Sequence, residues 1–376
     1  SLLAVRDINH KYIVVERRFP MKTATLKRII ASITTVTICS LGIFITPWLG
    51  IGGTDAHADG EVHSVYTNEL IPASQASQRP IAVMMPTDKA CQPSYGISRA
   101  KVLYEIMEEG NISRQLAIID NWQDLQRIGN IRSCRDYYIS IATEWDPILI
   151  HFGGVYYMKD RITAPDINNL SGTSEYGTGG DRPGSGQFYR TSDRKAPHNA
   201  YISASGIQTA CASLGYSLTT RQEYYNVSHF NFVSGVNTLE QYASAIPGNV
   251  IDLSKIFPYT KSYFTYDAAS GQYLKNIHGA AQVDGMNGEQ LTFSNVIIQN
   301  TNWSKRDAKG YLAFQTIDST SDGYYFTKGR GIHITWKKTS DYSPTKYYDD
   351  NGNEIQLNEG KTYIAIAQKD RTLLYS

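Results

Sequence analysis

Short apolar runs, each bounded by proline, glycine or polar residues, are the main pattern in the first half of the chain. Residues 80–85, 116–119 and 147–152 are runs of this kind. A short, continuous apolar run is typical of a strand that is buried on both faces. The pattern therefore predicts three buried strands between residues 79 and 152.

Helical spacing is found between these predicted strands. Apolar residues within 102–107 recur at helical intervals after Ser98, and Asp136 stands three residues after Ser133, which is the spacing of a capping box. We therefore predict one helix after Ser98 and a second helix from Ser133 to about Glu144.

Alternating strands and helices indicate an α/β fold, because a helix that connects two strands packs on the sheet and allows part of it to be parallel. We place this α/β N-terminal domain with a mixed sheet at residues 79–246, with a further helix after Ser203 or Ser205. Beyond residue 246, helical spacing gives way to short aromatic and β-branched runs separated by glycines. We place a smaller, mainly-β C-terminal domain at residues 247–376.

The first 78 residues show the pattern of an exported chain. We interpret residues 1–20 as upstream read-through and residues 21–58 as a signal peptide, since a basic segment, a long uncharged run and an A-x-A step follow Met21. The uncharged run approaches the length of a membrane helix, so a single N-terminal membrane anchor is the alternative. Residues 59–78 are polar and lack periodicity, which is typical of a linker.

Composition and charge narrow the classes of function. A formal net charge of +1 and a charged fraction of 19% argue against general nucleic-acid binding. Once the leader is removed, Cys91, Cys134 and Cys211 remain, and the sequence does not decide whether two of them form a disulfide. Their spacing matches no zinc motif. We expect neither a metal site nor a cofactor.

The clearest candidate site is a basic loop within residues 182–201. Arg194, Lys195, His198 and Asn199 gather two cations, an imidazole and an amide around a proline. Proline stiffens the backbone and disfavours helix before it, so these side chains are expected on a rigid surface loop. We interpret this loop as a ligand-binding or catalytic element.

A second candidate lies at the start of a predicted helix. Arg132, Ser133 and Arg135 would surround the free N–H groups of the helix N-terminus, where a phosphate or carboxylate binds favourably. Arginine forks suit either group. The alternative is that the arginines pair internally with Glu105 or Glu108.

His151 ends the third predicted strand and is followed by Gly153 and Gly154. Ligands of open α/β sheets bind beyond the carboxyl ends of the strands, and glycines let the backbone approach a ligand. If His151, His198 and Glu105 converge, they would form a catalytic acid/base group. The alternative is a structural His151 that hydrogen-bonds a loop carbonyl.

Tyrosine is frequent, with 27 Tyr against 11 Phe. In the β-rich domain the aromatic candidates are Tyr324, Tyr325, Trp336, Tyr347 and Tyr348. Aromatic residues on a sheet face can stack on sugar rings or form a docking surface for a partner, but cross-strand pairing is their more common use.

Several motifs occur in an order that is typical of one family. They are Arg79-Pro80-Ile81-Ala82-Val83-Met84, Tyr104-Glu105, Gly129-x-Ile131-Arg132-Ser133-x-Arg135, Ile150-His151-x-Gly153-Gly154, Arg194-Lys195-Ala196-Pro197-His198-Asn199, Gly323-Tyr324-Tyr325-Phe326, Ile334-Thr335-Trp336 and Gly360-Lys361-Thr362. In this ordered set, the chain from Arg79 to Ile366 resembles the YerB-like family. The resemblance implies a two-domain bacterial extracytoplasmic protein, often a lipoprotein, of unknown function.

The chain departs from that family at two cysteines. Ile38 before Cys39 is too large for a convincing lipobox, which weakens the case for a lipid anchor. Cys134 stands where the family pattern leads us to expect a small residue.

These observations lead us to expect an exported cell-envelope protein that binds an anionic envelope polymer or peptidoglycan through a basic cleft. Its partners would be that polymer and, in one alternative, another envelope protein. The first alternative function is a hydrolase or transferase that acts on cell-wall material with histidine acid/base catalysis. The second is a protein–protein docking module.

Overall fold

The chain forms two units, Ser1–Gly50 and Ile51–Ser376. The computed structural model describes two short N-terminal strands and, from residue 60 on, the stretches 60–173, 187–226, 228–317 and 319–376. The two N-terminal strands, β1 (Ala4–Arg6) and β2 (Tyr12–Val14), pair antiparallel. Apart from them, the predicted read-through segment and signal peptide lie outside the described residues.

Strands far outnumber helices in the second unit. Its strands are, in chain order, β3 (Glu61–His63), β4 (Leu70–Pro72), β5 (Ile81–Pro86), β6 (Val102–Met107), β7 (Ser113–Ile119), β8 (Ile128–Gly129), β9 (Ile148–His151), β10 (Asn169–Ser171), β11 (Tyr189–Arg190), β12 (Ala200–Ile202), β13 (Ile246–Pro247), β14 (Val250–Asp252), β15 (Tyr263–Asp267), β16 (Gln272–Ile277), β17 (Ala280–Ala281), β18 (Thr292–Phe293), β19 (Asn295–Thr301), β20 (Trp303–Lys305), β21 (Leu312–Phe314), β22 (Ser319–Thr327), β23 (Arg330–Lys338), β24 (Lys346–Tyr348), β25 (Thr362–Gln368) and β26 (Leu374–Tyr375). Its α-helices are α1 (Ala73–Ala76), α2 (Asp136–Ala142), α3 (Lys159–Ile162) and α4 (Ala204–Leu214). No helix within the described stretches is both long and apolar enough to span a membrane.

One sheet of eleven strands runs through most of the second unit. Its order is β10-β9-β5-β7-β6-β25-β19-β22-β23-β13, and β24 pairs with β23. Strand β25 is parallel to both neighbours: Ile364 lies opposite Tyr104 of β6 on one side and opposite Ile297 of β19 on the other. Residues on both sides of the predicted boundary at residue 246 therefore share one sheet.

The predicted helix after Ser98 is wrong, because residues 102–107 form strand β6. All six side chains of β6 are buried, and the strand lies between β7 and β25. Ser98 does not cap a helix; its hydroxyl donates to Asp284 Oδ2 at 2.7 Å. A run that is buried on both faces lacks the two-residue alternation of a half-exposed strand, so its spacing is easily mistaken for helical.

The other predicted elements of the N-terminal half are present. The three strands are confirmed as β5, β7 and β9, and the helix predicted from Ser133 to about Glu144 is confirmed as α2. The predicted capping box is wrong, because Arg135 is the N-cap without a side-chain cap hydrogen bond and Ser133 Oγ donates to Phe152 O. Helix α4 begins after Ser203, whose Oγ accepts a hydrogen bond from Gly206 N at 3.1 Å. Only α2 and α4 exceed four residues in the described part of this half. Because β6 replaces a helix, the half is mostly β with a mixed sheet, and the prediction of an α/β domain is corrected.

Residues 59–78 are not the linker that their composition predicts. Strands β3 and β4 pair antiparallel, and α1 follows them. Tyr66 is buried, and its ring stacks on Trp145 with the centroids 5.3 Å apart. Of the four buried residues in the described part of this segment, Ser64 and Thr67 are polar, so the hydrophobic pattern of the sequence does not report which residues face the core.

The C-terminal third is mainly β, as predicted. Beyond the shared sheet it contributes a six-stranded sheet in the order β17-β16-β15-β14-β26, with β18 paired to β16. Strand β16 alternates between half-buried and buried residues, and Tyr273, Lys275 and Ile277 point inward. Because of this register, the side chain of Lys275 lies in the interior of the protein.

Candidate functional site

A frame of backbone hydrogen bonds gathers most of the predicted site residues of the N-terminal half. Arg132 N donates to Met84 O of β5, and Phe152 N, just beyond β9, donates to Arg132 O, both at 2.9 Å. Ile131 N donates to Ala200 O of β12 at 2.8 Å. The segment around Arg132 is thus held between the ends of β5 and β9 and the hairpin of β11 and β12.

The side chains of Cys91 and His198 meet beside this frame. Cys91 Sγ lies 2.9 Å from His198 Nδ1. Asn130 Nδ2 donates to the backbone oxygens of both residues, at 3.0 Å to Cys91 O and 2.8 Å to His198 O. Burial raises the pKa of the Cys91 thiol to about 12, against the opposing effect of nearby arginines.

Cys91 and Asn130 were not predicted as site residues. Cys91 lies 107 residues from His198 in sequence, and no motif marks the pairing. For Asn130 a weak signal was present, because it stands inside the quoted motif that contains Arg132.

The side chain of Arg194 fastens its loop to residues 91–93 by hydrogen bonds. Arg194 donates to Cys91 O at 2.5 Å and to Pro93 O at 2.7 Å, so its guanidinium partly closes the loop against residues 91–93. Asn199 Oδ1 accepts from Arg190 at 2.8 Å. Lys195 is exposed. Arg194 and Asn199 therefore shape the loop, and Lys195 is the residue that it presents to solvent.

Arg132 is a cation without a partner. Its guanidinium makes no hydrogen bond or ion pair to any described residue, although its Nη1 atom is buried. Burial and the positive charge of Arg114 lower the pKa of Arg132, while Cys91 and Asp88 act in the opposite direction. Guanidinium groups stay protonated in proteins, so a positive charge is held here without compensation at contact distance.

Arg135, in contrast to Arg132, forms ion pairs with carboxylates. Arg135 Nη2 lies 2.7 Å from Glu109 Oε2 and 3.5 Å from Glu108 Oε2, and Arg114 Nη1 lies 2.7 Å from the same Glu108 oxygen. Burial lowers the pKa of Arg135, but these carboxylates outweigh it and raise the pKa. Internal pairing with Glu108, the alternative named from the sequence, therefore holds for Arg135 and not for Arg132.

The predicted anion pocket at the N-terminus of α2 is not formed. Asp136 occupies that helix end, where its Oδ1 accepts from Tyr137 N at 3.0 Å and its Oδ2 pairs with Arg306. Ser133 Oγ donates to Phe152 O at 3.2 Å. A carboxylate of the chain itself thus takes the position that an external anion would use.

His151 is a structural residue in this arrangement. It is fully buried; its Nδ1 lies 2.7 Å from Gly153 O and its Nε2 lies 3.3 Å from Asn169 Oδ1. Burial lowers its pKa, so the imidazole is neutral at pH 7. A Cβ on Gly154 would lie 2.2 Å from Met158 Cε, so this glycine serves side-chain packing.

Glu105 does not join the two histidines. It is fully buried, and its Oε2 lies 3.0 Å from Lys275 Nζ. Each of the three proposed catalytic residues has different neighbours: His151 contacts Gly153, His198 contacts Cys91, and Glu105 contacts Lys275. None of the three residues contacts another of them among the described residues, so their direct contacts do not form the predicted acid/base group.

The three cysteines of the described chain are buried free thiols, so no disulfide links Cys91, Cys134 and Cys211. Within the same residues, no group of three or more His, Cys, Asp or Glu side chains is arranged to hold a metal ion.

Three of the five aromatic candidates of the β-rich half are core residues. Tyr325, Trp336 and Tyr347 are buried, and the indole of Trp336 donates to Asn300 O at 2.8 Å. Tyr324 and Tyr348 are half-buried. The three buried side chains thus contribute to packing between strands.

Two family models match the chain. The model described as "Protein of unknown function (DUF3048) N-terminal domain" covers residues 66–217, and the model of the corresponding C-terminal domain covers residues 254–364. A relative from Bacillus subtilis (strain 168), named "Putative lipoprotein YerB", is 27% identical over 290 residues, which are 77% of this chain and 81% of the relative. The chain belongs to the YerB-like family.

The crystal structure of the YerB protein from Bacillus subtilis has the same fold. It matches with a TM-score of 0.70 at 24% identity and covers 83% of this chain and 99% of that one. In this YerB-like chain, Arg132, Cys91 and His198 all lie in the N-terminal family domain. Glu105 and Lys275 come from different family domains, so their contact joins the two.

Proposed function

We propose that this YerB-like protein binds an anionic group of the cell envelope in a cleft that contains Arg132 and Lys195, with His198 beside them. The observation that carries the proposal is the unpartnered guanidinium of Arg132, whose Nη1 is buried. A buried polar group without a partner is costly, and native proteins satisfy nearly all such groups. An oxyanion from a ligand would satisfy it.

The surrounding charge supports the same conclusion. Arg190, Arg194 and Lys195 also form no ion pair with any described residue, whereas the acidic Glu108 is already shared by Arg114 and Arg135. Positive charge in excess of the nearby Asp88 attracts anions and raises their local concentration. The buried Asn130 Oδ1, which has no hydrogen-bond partner, adds an acceptor beside Cys91 and can receive a hydroxyl or amide donor of the same ligand.

The ligand group would be a carboxylate or a phosphate, because an arginine fork binds either. In the envelope, carboxylates are found on peptidoglycan stem peptides and phosphates on anionic polymers. Both sources present the same oxyanion chemistry to Arg132, so the experiment has to separate them.

The test compares binding of the purified protein to peptidoglycan stripped of phosphate polymers with binding to wall that retains them. Arg132→Ala is expected to weaken binding about tenfold or more, as for loss of a hydrogen bond to a charged group. Added salt should weaken binding by the wild type and have less effect on the variant. Arg330→Ala is the matched control, because Arg330 is 49% exposed and pairs only loosely with Glu240, at 3.8 Å.

The binding results for the two wall materials distinguish a phosphate from a carboxylate ligand group. Loss of binding in Arg132→Ala on phosphate-bearing wall alone would identify phosphate as the ligand group, and equal loss on both materials would identify the peptidoglycan carboxylate. If Arg132→Ala binds both materials as the wild type does, the proposed site is wrong.

We also propose that the chain is exported and associated with the envelope. The relative's description as a lipoprotein and the leader pattern of residues 21–58 support this. Mass spectrometry of the protein from an envelope fraction would locate the mature N-terminus. Cleavage after residue 58 would support a secreted form, and an intact hydrophobic segment would support the single N-terminal membrane anchor.

The two alternative functions have less structural support. Catalysis by His151, His198 and Glu105 would require them to share one space, and each has different neighbours. Of the five aromatic candidates of the β-rich half, only Tyr324 and Tyr348 have accessible area for docking.

A further inference from the structure

We infer that Cys91 is a positioning residue: its thiol holds His198 as the tautomer with hydrogen on Nε2, so that His198 presents an N–H donor to the oxyanion bound by Arg132. The inference rests on the proposed anion site and adds a second donor to it. The 2.9 Å contact between Cys91 Sγ and His198 Nδ1 is the observation that supports this role of Cys91.

The direction of this hydrogen bond follows from the state of the thiol. Because burial raises the pKa of Cys91 to about 12, the sulfur carries its hydrogen at neutral pH and can donate it. A neutral imidazole has one donor and one acceptor nitrogen, and the hydrogen bond made by one nitrogen determines which of them carries the proton. When Nδ1 accepts from the thiol, Nε2 must carry the hydrogen.

Asp88 is the competing acceptor for the thiol hydrogen. Asp88 Oδ2 lies 3.8 Å from Cys91 Sγ, which is 0.9 Å farther than His198 Nδ1. Hydrogen bonds weaken with distance, so the imidazole is the favoured partner.

The backbone holds the two side chains together independently of their own contact. Asn130 donates to the carbonyl oxygens of both Cys91 and His198, and Arg194 donates to the same Cys91 oxygen. A substitution at residue 91 that leaves its carbonyl in place should therefore change the tautomer without moving the loop. This makes the inference testable by mutation.

The second nitrogen of His198 is free to meet a ligand. His198 Nε2 has no hydrogen-bond partner among the described residues, and the side chain is half-buried. The two ring nitrogens point in different directions, so Nε2 faces away from the buried thiol. The opposite tautomer would direct a lone pair at the oxyanion, which is repulsive.

The experiment records ¹⁵N chemical shifts of the His198 ring in the purified protein at pH 8, where histidine side chains are generally neutral. Wild type and Cys91→Ser should both show hydrogen on Nε2, because serine keeps a donor at this position. Cys91→Ala should show a mixture of tautomers. Assignment of the signals uses His198→Asn.

The functional readout is binding of inorganic phosphate, measured by the shift of the same signals. Only the tautomer with hydrogen on Nε2 can donate to the phosphate, so an even mixture of tautomers in Cys91→Ala should weaken phosphate binding about twofold, and Cys91→Ser should restore the wild-type affinity. Hydrogen on Nδ1 in the wild type, or an unchanged tautomer in Cys91→Ala, would overturn the inference.

Phosphate binding by Arg132→Ala and Cys91→Ala distinguishes a failure of the anion site from a failure of the role of Cys91. If the tautomers behave as expected but Arg132→Ala binds phosphate as tightly as wild type, Arg132 is not the anion site and the proposed function fails. If affinity falls in Arg132→Ala but is equal in Cys91→Ala and wild type, the anion site stands and the role of Cys91 is refuted.

Discussion

Lys275 Nζ lies 3.0 Å from Glu105 Oε2, and both side chains are fully buried. Glu105 Oε1 also accepts from Ser113 at 2.7 Å, and its Oε2 accepts from Tyr363 at 2.9 Å. Burial raises the pKa of Glu105, but Lys275 and the hydrogen bonds, including one from Gln115, outweigh it and lower the pKa. The carboxylate is thus kept charged at the contact between the two family domains.

Removing one member of this pair should destabilise the protein. We expect Glu105→Gln or Lys275→Met to lower the free energy of unfolding by about 3–5 kcal/mol, because an uncompensated charge is left buried. Chemical denaturation measures this value. The double variant should lose less than the sum of the two, since each single change already breaks the pair.

The control for this prediction is an exposed ion pair. Arg99 and Asp124 lie 2.7 Å apart but are 33% and 62% exposed. Asp124→Asn should cost at most about 1 kcal/mol. Equal losses in the free energy of unfolding for Asp124→Asn and Glu105→Gln would show that the buried pair contributes no more to stability than the exposed one.

Substitution of Arg132 and substitution of Arg135 should have different effects on the stability of the protein. Arg132→Ala removes no hydrogen bond or ion pair among the described residues, so we expect its free energy of unfolding to change by less than about 1 kcal/mol. Arg135→Ala leaves Glu108 and Glu109 with fewer partners, and we expect a loss of about 3 kcal/mol. Thermal unfolding compares the two. A severe loss in Arg132→Ala would assign this residue to the framework.

Protonation of His151 should oppose folding in acid. Burial lowers its folded pKa below the ordinary value of 6.5, so the unfolded chain binds more protons between the two values. The stability associated with neutral His151 is complete above pH 6.5 and is lost as the pH falls below it, by at most about 1.4 kcal/mol per pH unit. Urea unfolding at pH 8 and pH 5.5 should show a smaller loss for His151→Gln than for wild type. Parallel losses would contradict the prediction.

The buried thiols should react only after unfolding. Burial raises the pKa of Cys91 to about 12 and that of Cys211 to about 11, and it raises the pKa of Cys134 as well. In a Cys39→Ser background we expect slow labelling by a thiol reagent in the native protein and three labels in denaturant. A reducing agent should leave the melting temperature unchanged. Fewer than three labels in denaturant without reductant would reveal a disulfide.

Local patterns in the sequence predicted the elements whose signals lie within a few residues. Strands β5, β7 and β9 are short apolar runs between turn residues, and α2 lies within the predicted range although Ser133 does not cap it. The mainly-β character of the C-terminal third and membership of the YerB-like family were also readable, because both rest on residue types in a fixed order.

Tertiary structure decided the features that depend on partners distant in the chain. Residues 102–107 form a strand because β7 and β25 provide hydrogen-bonding edges on both sides, which no local pattern reports. Tyr66 stacks on Trp145, so the predicted linker is part of the fold.

The candidate site shows the same division. Its basic residues were visible in the sequence, since Arg132, Arg194, Lys195 and His198 stand in recognisable motifs. Which arginine is paired and which is free was not visible, because pairing depends on distances between side chains from separate strands and loops. Only the packed chain brings Cys91 to His198 and leaves Arg132 without a hydrogen bond or ion pair to any described residue.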